Sequence, residues 1–225
     1  MPGLTYAIGD IHGRLDLLRA AIAAITAHAA GVRHQVVCLG DYVDRGPDSK
    51  MVVETLMTLT AHGAWRCLMG NHEQMMIDAL RTIETEHLDL WLDNGGEATL
   101  KSYGMGVPKA HLAWLEALPL TWRDAHRLYV HAGISPRKPI EAQSWRSLLW
   151  IRETFLTADA DALPCHVVHG HTPYWRMKPQ PQVPECLPHR TNLDTGAYFT
   201  GILSVGVFDD AIPGGPIEVL AVTDE

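Results

Sequence analysis

The strongest constraint on the fold is a short polar motif with a glycine that follows each of the first three apolar runs. These motifs place Asp10, Asp41 and Asn71 about 30 residues apart, which is the length of one strand-helix-strand unit. Apolar residues between them recur at helical spacing, so strands alternate with helices and the sheet is expected to be parallel. Parallel strands carry the residues that follow them to one sheet edge, where open α/β sheets bind ligands. The pattern therefore predicts an α/β fold with one polar site at the carboxyl ends of the strands.

The apolar pattern also gives the predicted elements. Strands are expected over 4–8, 35–39, 64–69, 127–130 and 166–168, and a C-terminal antiparallel hairpin over 201–208 and 217–222. Residues 88–118 have a helical pattern broken by glycines, which indicates several short helices that could form a cap. The prolines within 172–192 argue against a helix or a central strand, so a surface loop is predicted there. Because no linker interrupts the chain, we expect one domain over 1–225.

Composition and charge exclude several classes of protein. Hydrophobic residues make up 47% of the chain and charged residues 20%, as in folded globular domains. The formal net charge of -8 argues against a general nucleic-acid binder, which needs a basic face. No apolar run reaches the roughly 18 residues that cross a bilayer, and no basic segment precedes a signal-like core at the N-terminus. We therefore expect a cytoplasmic protein that binds neither nucleic acid nor membranes.

Five motifs carry the candidate site: GDIHG at 9–13, GDYVDRG at 40–46, GNHE at 70–73, HAG at 131–133 and HGHT at 169–172. Their carboxylate, amide and imidazole groups suit divalent ions such as manganese, iron or zinc. A bridging carboxylate would hold two such ions about 3.5–4 Å apart, as in two-metal hydrolases. One ion would be held by Asp10 and His12, the second by Asn71, His131 and His171, with Asp41 as the bridge.

Four further residues could act on a phosphate held by these ions. Arg45 stands four residues past Asp41, and its planar guanidinium could bind two phosphate oxygens. Arg152 is a second candidate for the same role. His72 is placed to protonate a leaving group, and Asp44 could hold it as an imidazolium by raising its pKa. Two divalent ions would keep the pocket cationic in an otherwise acidic protein.

These motifs resemble the phosphoprotein phosphatase family of the calcineurin-like metallophosphoesterases, and especially its bacterial and phage protein serine/threonine phosphatases. The resemblance covers most of the chain and includes Gln74–Met76, Trp91–Gly96 and Leu193–Ala197. It implies a calcineurin-like metallophosphoesterase fold, a central β-sandwich flanked by helices with a dimetal site at the carboxyl ends of the strands. It also implies hydrolysis of phosphoserine and phosphothreonine in proteins or peptides, with phosphotyrosine as a further option.

The resemblance also implies a mechanism and its residues. A metal-bridging hydroxide attacks phosphorus in line, without a phosphoenzyme. The expected cofactors are two divalent ions, with manganese expected first and iron or zinc as alternatives. Matched residue by residue, the family pattern assigns one metal to Asp10, His12 and Asp41, the other to Asp41, Asn71, His131 and His171, the acid pair to His72 and Asp44, and phosphate binding to Arg45 and Arg152.

The sequence is also compatible with three other functions. Symmetrical dinucleoside tetraphosphate hydrolases use a related site, but typically carry alanine at the position of Asp44 and aspartate at that of Glu73. A small phosphorylated metabolite is a further possible substrate, since the motifs specify phosphate chemistry and not its carrier. A non-catalytic module that recognises phosphorylated partners would lack a ligand or the acid, whereas every position here is filled.

Three residues near the motifs have less certain roles. Trp91 is interpreted as a core residue because it stands in a helical pattern. His169 is either a partner of the ligand His171 or a core residue. Trp175, in the proline-rich loop, is a candidate for the lining of the substrate groove.

Overall fold

The computed structural model describes residues 3–173 and 183–224 of the chain. Over these residues the strands form two five-stranded sheets. Trp175, the candidate for the substrate groove, lies outside the described residues, as does part of the proline-rich stretch around it.

The described strands, in chain order, are β1 (Leu4–Ile8), β2 (His34–Cys38), β3 (Trp65–Cys67), β4 (Thr121–Arg123), β5 (Arg127–Val130), β6 (His166–His169), β7 (Glu185–Cys186), β8 (Arg190–Asn192), β9 (Leu203–Asp209) and β10 (Glu218–Val222). The sheet orders are β10-β9-β1-β2-β3 and β4-β5-β6-β8-β7. β1, β2 and β3 run parallel, and β9 and β10 form the predicted antiparallel hairpin beside β1. In the second sheet β5, β6 and β8 are parallel, with antiparallel edges.

The described helices are α1 (Leu15–Ala29), α2 (Ser49–Thr60), α3 (Asn71–Arg81), α4 (Thr85–Trp91), α5 (Glu97–Tyr103), α6 (Lys109–Glu116), α7 (Trp145–Trp150), α8 (Glu153–Leu156) and α9 (Ala197–Thr200). The segment Leu92–Gly96 joins α4 to α5 as a π-helical turn that is kinked at Gly95, whose φ of 101° lies outside the helical range. The glycine-broken pattern of 88–118 thus corresponds to short helices, as predicted. Among the described helices none is both long enough and apolar enough to cross a bilayer.

The two sheets pack face to face, and helices cover their outer sides. Alternate side chains of a strand point to opposite faces, which decides what each residue contacts. Tyr6 and Ile8 of β1 pack with the apolar stripe of α1. Ala7, between them, clusters with Tyr129 and Val168 of the second sheet. The predicted α/β class and the β-sandwich flanked by helices are confirmed.

The predicted surface loop over 172–192 is wrong at its C-terminal end. β7 and β8 both fall inside this stretch, and β8 is a buried strand between β6 and β7. Prolines exclude a strand only where their missing N–H is needed for the sheet. Pro188 precedes the first residue of β8, so every residue of this strand retains its N–H group.

Candidate metal centre and active site

The predicted metal ligands converge at the carboxyl ends of strands from both sheets. Asp10 follows β1, Asp41 follows β2, and Asn71 begins α3 shortly after β3. From the second sheet, His131 directly follows β5 and His171 follows β6. Each of the six predicted ligands, His12 included, is at most 5% exposed. Residues up to 161 positions apart in the sequence therefore share one buried site.

One group of ligand atoms is formed by Asn71, His131 and His171. The Asn71 Oδ1 atom lies 2.8 Å from His131 Nε2 and 2.8 Å from His171 Nδ1, and the two nitrogens are 3.2 Å apart. His131 Nδ1 is 3.0 Å from the Leu39 carbonyl, to which it donates, so the neutral ring presents the Nε2 lone pair. Lone pairs this close repel one another unless a cation lies between them. The arrangement fits a divalent ion.

The two ring nitrogens of His171 have different surroundings. His171 Nε2 has no hydrogen-bond partner among the described residues. His171 therefore makes its polar side-chain contacts through Nδ1, on the side of Asn71 and His131. Burial lowers the pKa of both rings, most strongly for His171. Neutral imidazoles are the form that binds metal ions.

A second group of ligand atoms consists of His12, His72 and the carboxylate of Asp41, each of which is buried. His12 Nδ1 donates to the Val43 carbonyl at 2.9 Å, which leaves the Nε2 lone pair for the site. This Nε2 is 3.5 Å from Asp41 Oδ2. On the other side, Asp41 Oδ1 is 3.3 Å from His131 Nε2. The Asp41 carboxylate thus has one oxygen toward each group, as a bridging ligand would.

Asp10 lies beside these groups and belongs to neither compact cluster of the described residues. Its carboxylate accepts the His171 backbone N–H at 3.0 and 3.2 Å. Burial, then the nearby charges of Asp194 and Asp41, raise the pKa of Asp10 well above its usual value. A Cβ on Gly170 would lie 2.0 Å from Asp10 Oδ1, so this approach requires glycine. Asp10 therefore stays a predicted ligand, held close to the site by the 170–171 backbone.

Left-handed backbone angles concentrate in this site. His12, Asp41, Asp44, Arg45 and His171 all have positive φ, between 46° and 72°. Such angles cost a residue with a Cβ of the order of 1 kcal/mol or more, and they persist where surrounding contacts enforce them. Here the strained residues are the ones that present polar side chains to the site. The concentration of strain supports a functional origin for the arrangement.

Glu73 connects the Asp41 loop to the start of α3. Its carboxylate accepts four backbone N–H groups, from Asp41, Tyr42, Val43 and Gly70, at 2.7 to 3.2 Å. Burial and the nearby Asp41 charge raise the pKa of Glu73 to about 8, while the N–H donors oppose the shift. These bonds hold Asp41 beside the residue that begins α3, Asn71.

The predicted acid pair is assembled in the buried interior. His72 Nδ1 is 2.7 Å from Asp44 Oδ2, and both side chains are at most 2% exposed. Sequence reasoning missed two other residues on the same carboxylate, Trp91 and Thr99. Trp91 is fully buried, as its interpretation as a core residue requires, but its indole N–H also contacts Asp44. The Trp91–Gly96 motif marked this segment in the sequence. Hydrophobic periodicity, however, does not show which polar atoms form hydrogen bonds.

The two predicted phosphate-binding arginines both lie at the site. Arg45 donates from Nη1 to His12 Nε2 at 2.6 Å and from Nη2 to His72 Nε2 at 2.9 Å, and its guanidinium stacks on Tyr198. One nitrogen lone pair cannot accept a hydrogen bond and bind a metal ion at the same time, so a metal ion held by His12 Nε2 would require Arg45 Nη1 to move away from that atom. Arg152 donates to the His171 carbonyl and to Thr172 Oγ1.

His169, whose role the sequence left open, is a core residue by its contacts. It is fully buried, packs edge-on against Phe155 and donates to the Gly170 carbonyl. Its Nε2 lies 3.4 Å from Arg190 Nη1. Burial, followed by the Arg190 charge, lowers the pKa of His169 to about 3.

We expect this histidine to make the metal-free protein less stable in acid. Below pH 6.5 the unfolded chain binds a proton at His169 that the folded chain does not, so lowering the pH favours unfolding. The cost is about 1 kcal/mol between pH 6.5 and 5.5 and about 1.4 kcal/mol per pH unit below that, until the pH approaches the folded pKa near 3. Urea unfolding with a chelator at pH 6.5 and 5.5 measures it. The His169→Asn variant should lose less stability over this interval, and equal losses in both proteins would contradict the prediction.

The fold and the site together define a metal-dependent phosphoesterase architecture. The family model described as calcineurin-like phosphoesterase matches residues 4–201. The chain therefore belongs to the calcineurin-like phosphoesterase family. It is a metallophosphoesterase, in a family that uses divalent metal ions, and its His and Asp groups could bind them.

The names of similar proteins describe two different activities. The chain is 27% identical over 221 residues to serine/threonine-protein phosphatase 1 of Salmonella typhimurium, covering 89% of each chain. It is 33% identical over 142 residues to a symmetrical bis(5'-nucleosyl)-tetraphosphatase of Neisseria gonorrhoeae. The second match covers 59% of this chain and 44% of the relative, so the chain spans less than half of that protein's length.

Solved structures repeat the fold. A putative diadenosine tetraphosphatase superimposes with a TM-score of 0.72 at 24% identity, covering 98% of this chain and 93% of the other. A cold-active protein tyrosine phosphatase superimposes with a TM-score of 0.60 at 20% identity, covering 90% of this chain and 73% of the other. At these identities the likeness extends to the fold and leaves the substrate open.

Proposed function

We propose that the protein hydrolyses phosphoserine and phosphothreonine monoesters in proteins or peptides, with phosphotyrosine as a further substrate to test. The proposal includes His72 as the general acid. It also includes two divalent ions held by Asp10, His12 and Asp41 and by Asp41, Asn71, His131 and His171.

The buried hydrogen bond between Asp44 and His72 is the observation that carries this proposal. Serine and threonine leave as alkoxides, which are poor leaving groups unless protonated, so their release needs a positioned acid. A nucleotide that leaves from a dinucleoside tetraphosphate departs as a stabilised phosphate and needs this acid much less. Asp44 Oδ2 accepts the Nδ1–H of His72 at 2.7 Å, and this bond directs Nε2 of the ring toward the site.

The other residues of the site would bind and orient the phosphate. Divalent ions, when bound, supply positive charge and lower the pKa of a water molecule so that it can attack phosphorus. Arg45 has a planar fork suited to two phosphate oxygens, and it has to leave His12 Nε2 when that atom binds metal. Arg152 lies between α7 and α8 and adds positive charge beside His171. The chain's own contribution is thus to orient the phosphate and deliver a proton opposite the attack.

Symmetrical hydrolysis of a dinucleoside tetraphosphate is the second candidate function. The 33% identity over 142 residues to a protein of that name supports it. The length of the match favours the phosphatase instead, because the serine/threonine-protein phosphatase 1 alignment covers 89% of both chains. Asp44 and Glu73 also favour it, since tetraphosphate hydrolases are expected to differ at both positions.

The test is a comparison of substrates on one preparation. The protein is reconstituted with manganese, and kcat/KM is measured on phosphoserine, phosphothreonine and phosphotyrosine peptides and on diadenosine tetraphosphate. We expect the phosphoserine or phosphothreonine peptide to be preferred. The Asp41→Asn variant, purified identically, controls for contaminating phosphatases. A preference for diadenosine tetraphosphate would overturn the proposal in favour of the second function.

A further inference from the structure

The carboxylate of Asp44 accepts three side-chain donors, and only one of them is the proposed acid. His72 Nδ1 contacts Oδ2 at 2.7 Å. Trp91 Nε1 lies 2.9 Å from Oδ1 and 3.1 Å from Oδ2, and Thr99 Oγ1 donates to Oδ1 at 2.7 Å. Asp44, Trp91 and Thr99 are all fully buried. The carboxylate is therefore shielded from bulk solvent, and these donors orient it.

Thr99 also holds the backbone of Asp44. The Asp44 N–H lies 2.8 Å from Thr99 Oγ1 and 3.1 Å from Ser49 Oγ. Asp44 has a φ of 72°, a left-handed conformation that is uncommon for a residue with a Cβ, and these two hydrogen bonds stabilise it. Thr99 thus contacts both the strained backbone and the carboxylate of the same residue.

The segment that supplies Trp91 and Thr99 reaches the phosphate-binding arginine as well. The Arg45 N–H donates to the Gly95 carbonyl at 3.2 Å. Gly95 has a φ of 101°, and a Cβ there would lie 2.9 Å from Arg45 Cγ. A Cβ on Gly96 would lie 2.7 Å from the Trp91 ring, so the ring packs directly on this glycine. The π-helical turn between α4 and α5 thus packs closely against the Asp44–Arg45 loop.

We propose that Trp91 and Thr99 are positioning residues for catalysis. They hold the Asp44 carboxylate so that His72 keeps its Nδ1–H toward Asp44 and its Nε2 toward the leaving group. Without them the carboxylate can rotate, and two of its buried lone pairs lose their donors. The inference rests on the proposed function, because it requires His72 to be the acid.

The role predicts a dependence on the leaving group that a purely structural role would not produce. Loss of one hydrogen bond to a buried charged group should lower kcat about 10-fold on phenyl phosphate, whose leaving group needs protonation. The loss on 4-nitrophenyl phosphate should be small, since that leaving group departs readily. The informative variants are Trp91→Phe, which removes the indole N–H, and Thr99→Val, which removes the hydroxyl at nearly constant shape.

Matched variants separate positioning from packing. Thr99→Ser keeps the hydroxyl and should restore most of the activity that Thr99→Val loses on phenyl phosphate. Trp122→Phe makes the same replacement on β4, where Trp122 packs on Tyr129, and should leave the ratio of the two substrates unchanged. In the Asp44→Asn background, Thr99→Val should lower kcat on phenyl phosphate little further, because both changes remove the same interaction.

The outcomes distinguish this inference from the proposed function. If His72→Asn shows no dependence on the leaving group, the acid role itself fails. A second outcome is that His72→Asn shows that dependence while Trp91→Phe and Thr99→Val each lower kcat equally on the two substrates. In that case only the positioning role is overturned. Metal content is measured for every variant, so that a lost ion is not mistaken for a misplaced acid.

Discussion

Replacing Asp41 by asparagine is expected to abolish the metal pair and to lower kcat at least about 10³-fold, since metal ions contribute several kcal/mol to such transition states. The side chain has one oxygen 3.3 Å from His131 Nε2 and the other 3.5 Å from His12 Nε2. Asparagine retains one oxygen and places an NH₂ group where the second was. It also removes the negative charge that both ions share.

Metal stoichiometry measures this effect directly. Elemental analysis and calorimetric titration with manganese should give two ions per chain for the wild type and fewer, with weaker affinity, for Asp41→Asn. Asp16→Asn is the matched control, because Asp16 lies at the surface in an ion pair with Arg14. Two tightly bound ions in Asp41→Asn would contradict a bridging role.

The second large effect is expected for His72→Asn, which removes the proposed acid. Positioned acids contribute about 10²- to 10⁴-fold, so turnover of phenyl phosphate should fall by that order. Turnover of 4-nitrophenyl phosphate should fall far less. The effect arises at the chemical step, and KM for either substrate should change little in comparison with kcat.

This experiment is needed because the structure is also compatible with His72 as a metal ligand. His72 belongs to a compact group with His12 and Asp41, in which its Nε2 is 3.9 Å from Asp41 Oδ2, so it could also be a metal ligand. An acid leaves the metal content unchanged when it is removed, whereas a ligand lowers it. If the variant loses metal and its turnover of both substrates falls equally, His72 is assigned to the metal site. His62→Asn, at an exposed histidine, is the control.

Much of the fold could be predicted because it depends on local patterns. The first strand, Leu4–Ile8, and the fifth, Arg127–Val130, have the predicted bounds, since short apolar runs between turn residues have few other solutions. β8 could not be predicted in this way. It is a three-residue strand whose place depends on pairing with β6, a contact between distant residues that no local pattern encodes. The extent of the domain, 1–225, stays a prediction.

The same distinction separates the site residues that could be predicted from those that could not. Spacing and residue type were enough to select the ligand candidates, the candidate acid pair and Arg45, because each stands in one of the five motifs. Arg152 lies outside these motifs and was a second candidate for phosphate binding. The partners that orient them could not be selected. Trp91 and Thr99 reach Asp44 across 47 and 55 positions, through a π-helical turn that places an indole N–H and a hydroxyl on one carboxylate.

The sequence by itself determined which chemical groups are available and to which sheet edge they are delivered. Strand direction and motif order can be inferred from local patterns in the chain. They suffice to predict the α/β fold and a set of side chains suited to binding metal ions and phosphate. Only the tertiary structure decided which atoms face one another: the converging lone pairs of Asn71 and His131, and the two sides of the Asp41 carboxylate. The physical reason is that ligand geometry depends on distances of a few tenths of an ångström between residues far apart in the chain, and packing alone sets those distances.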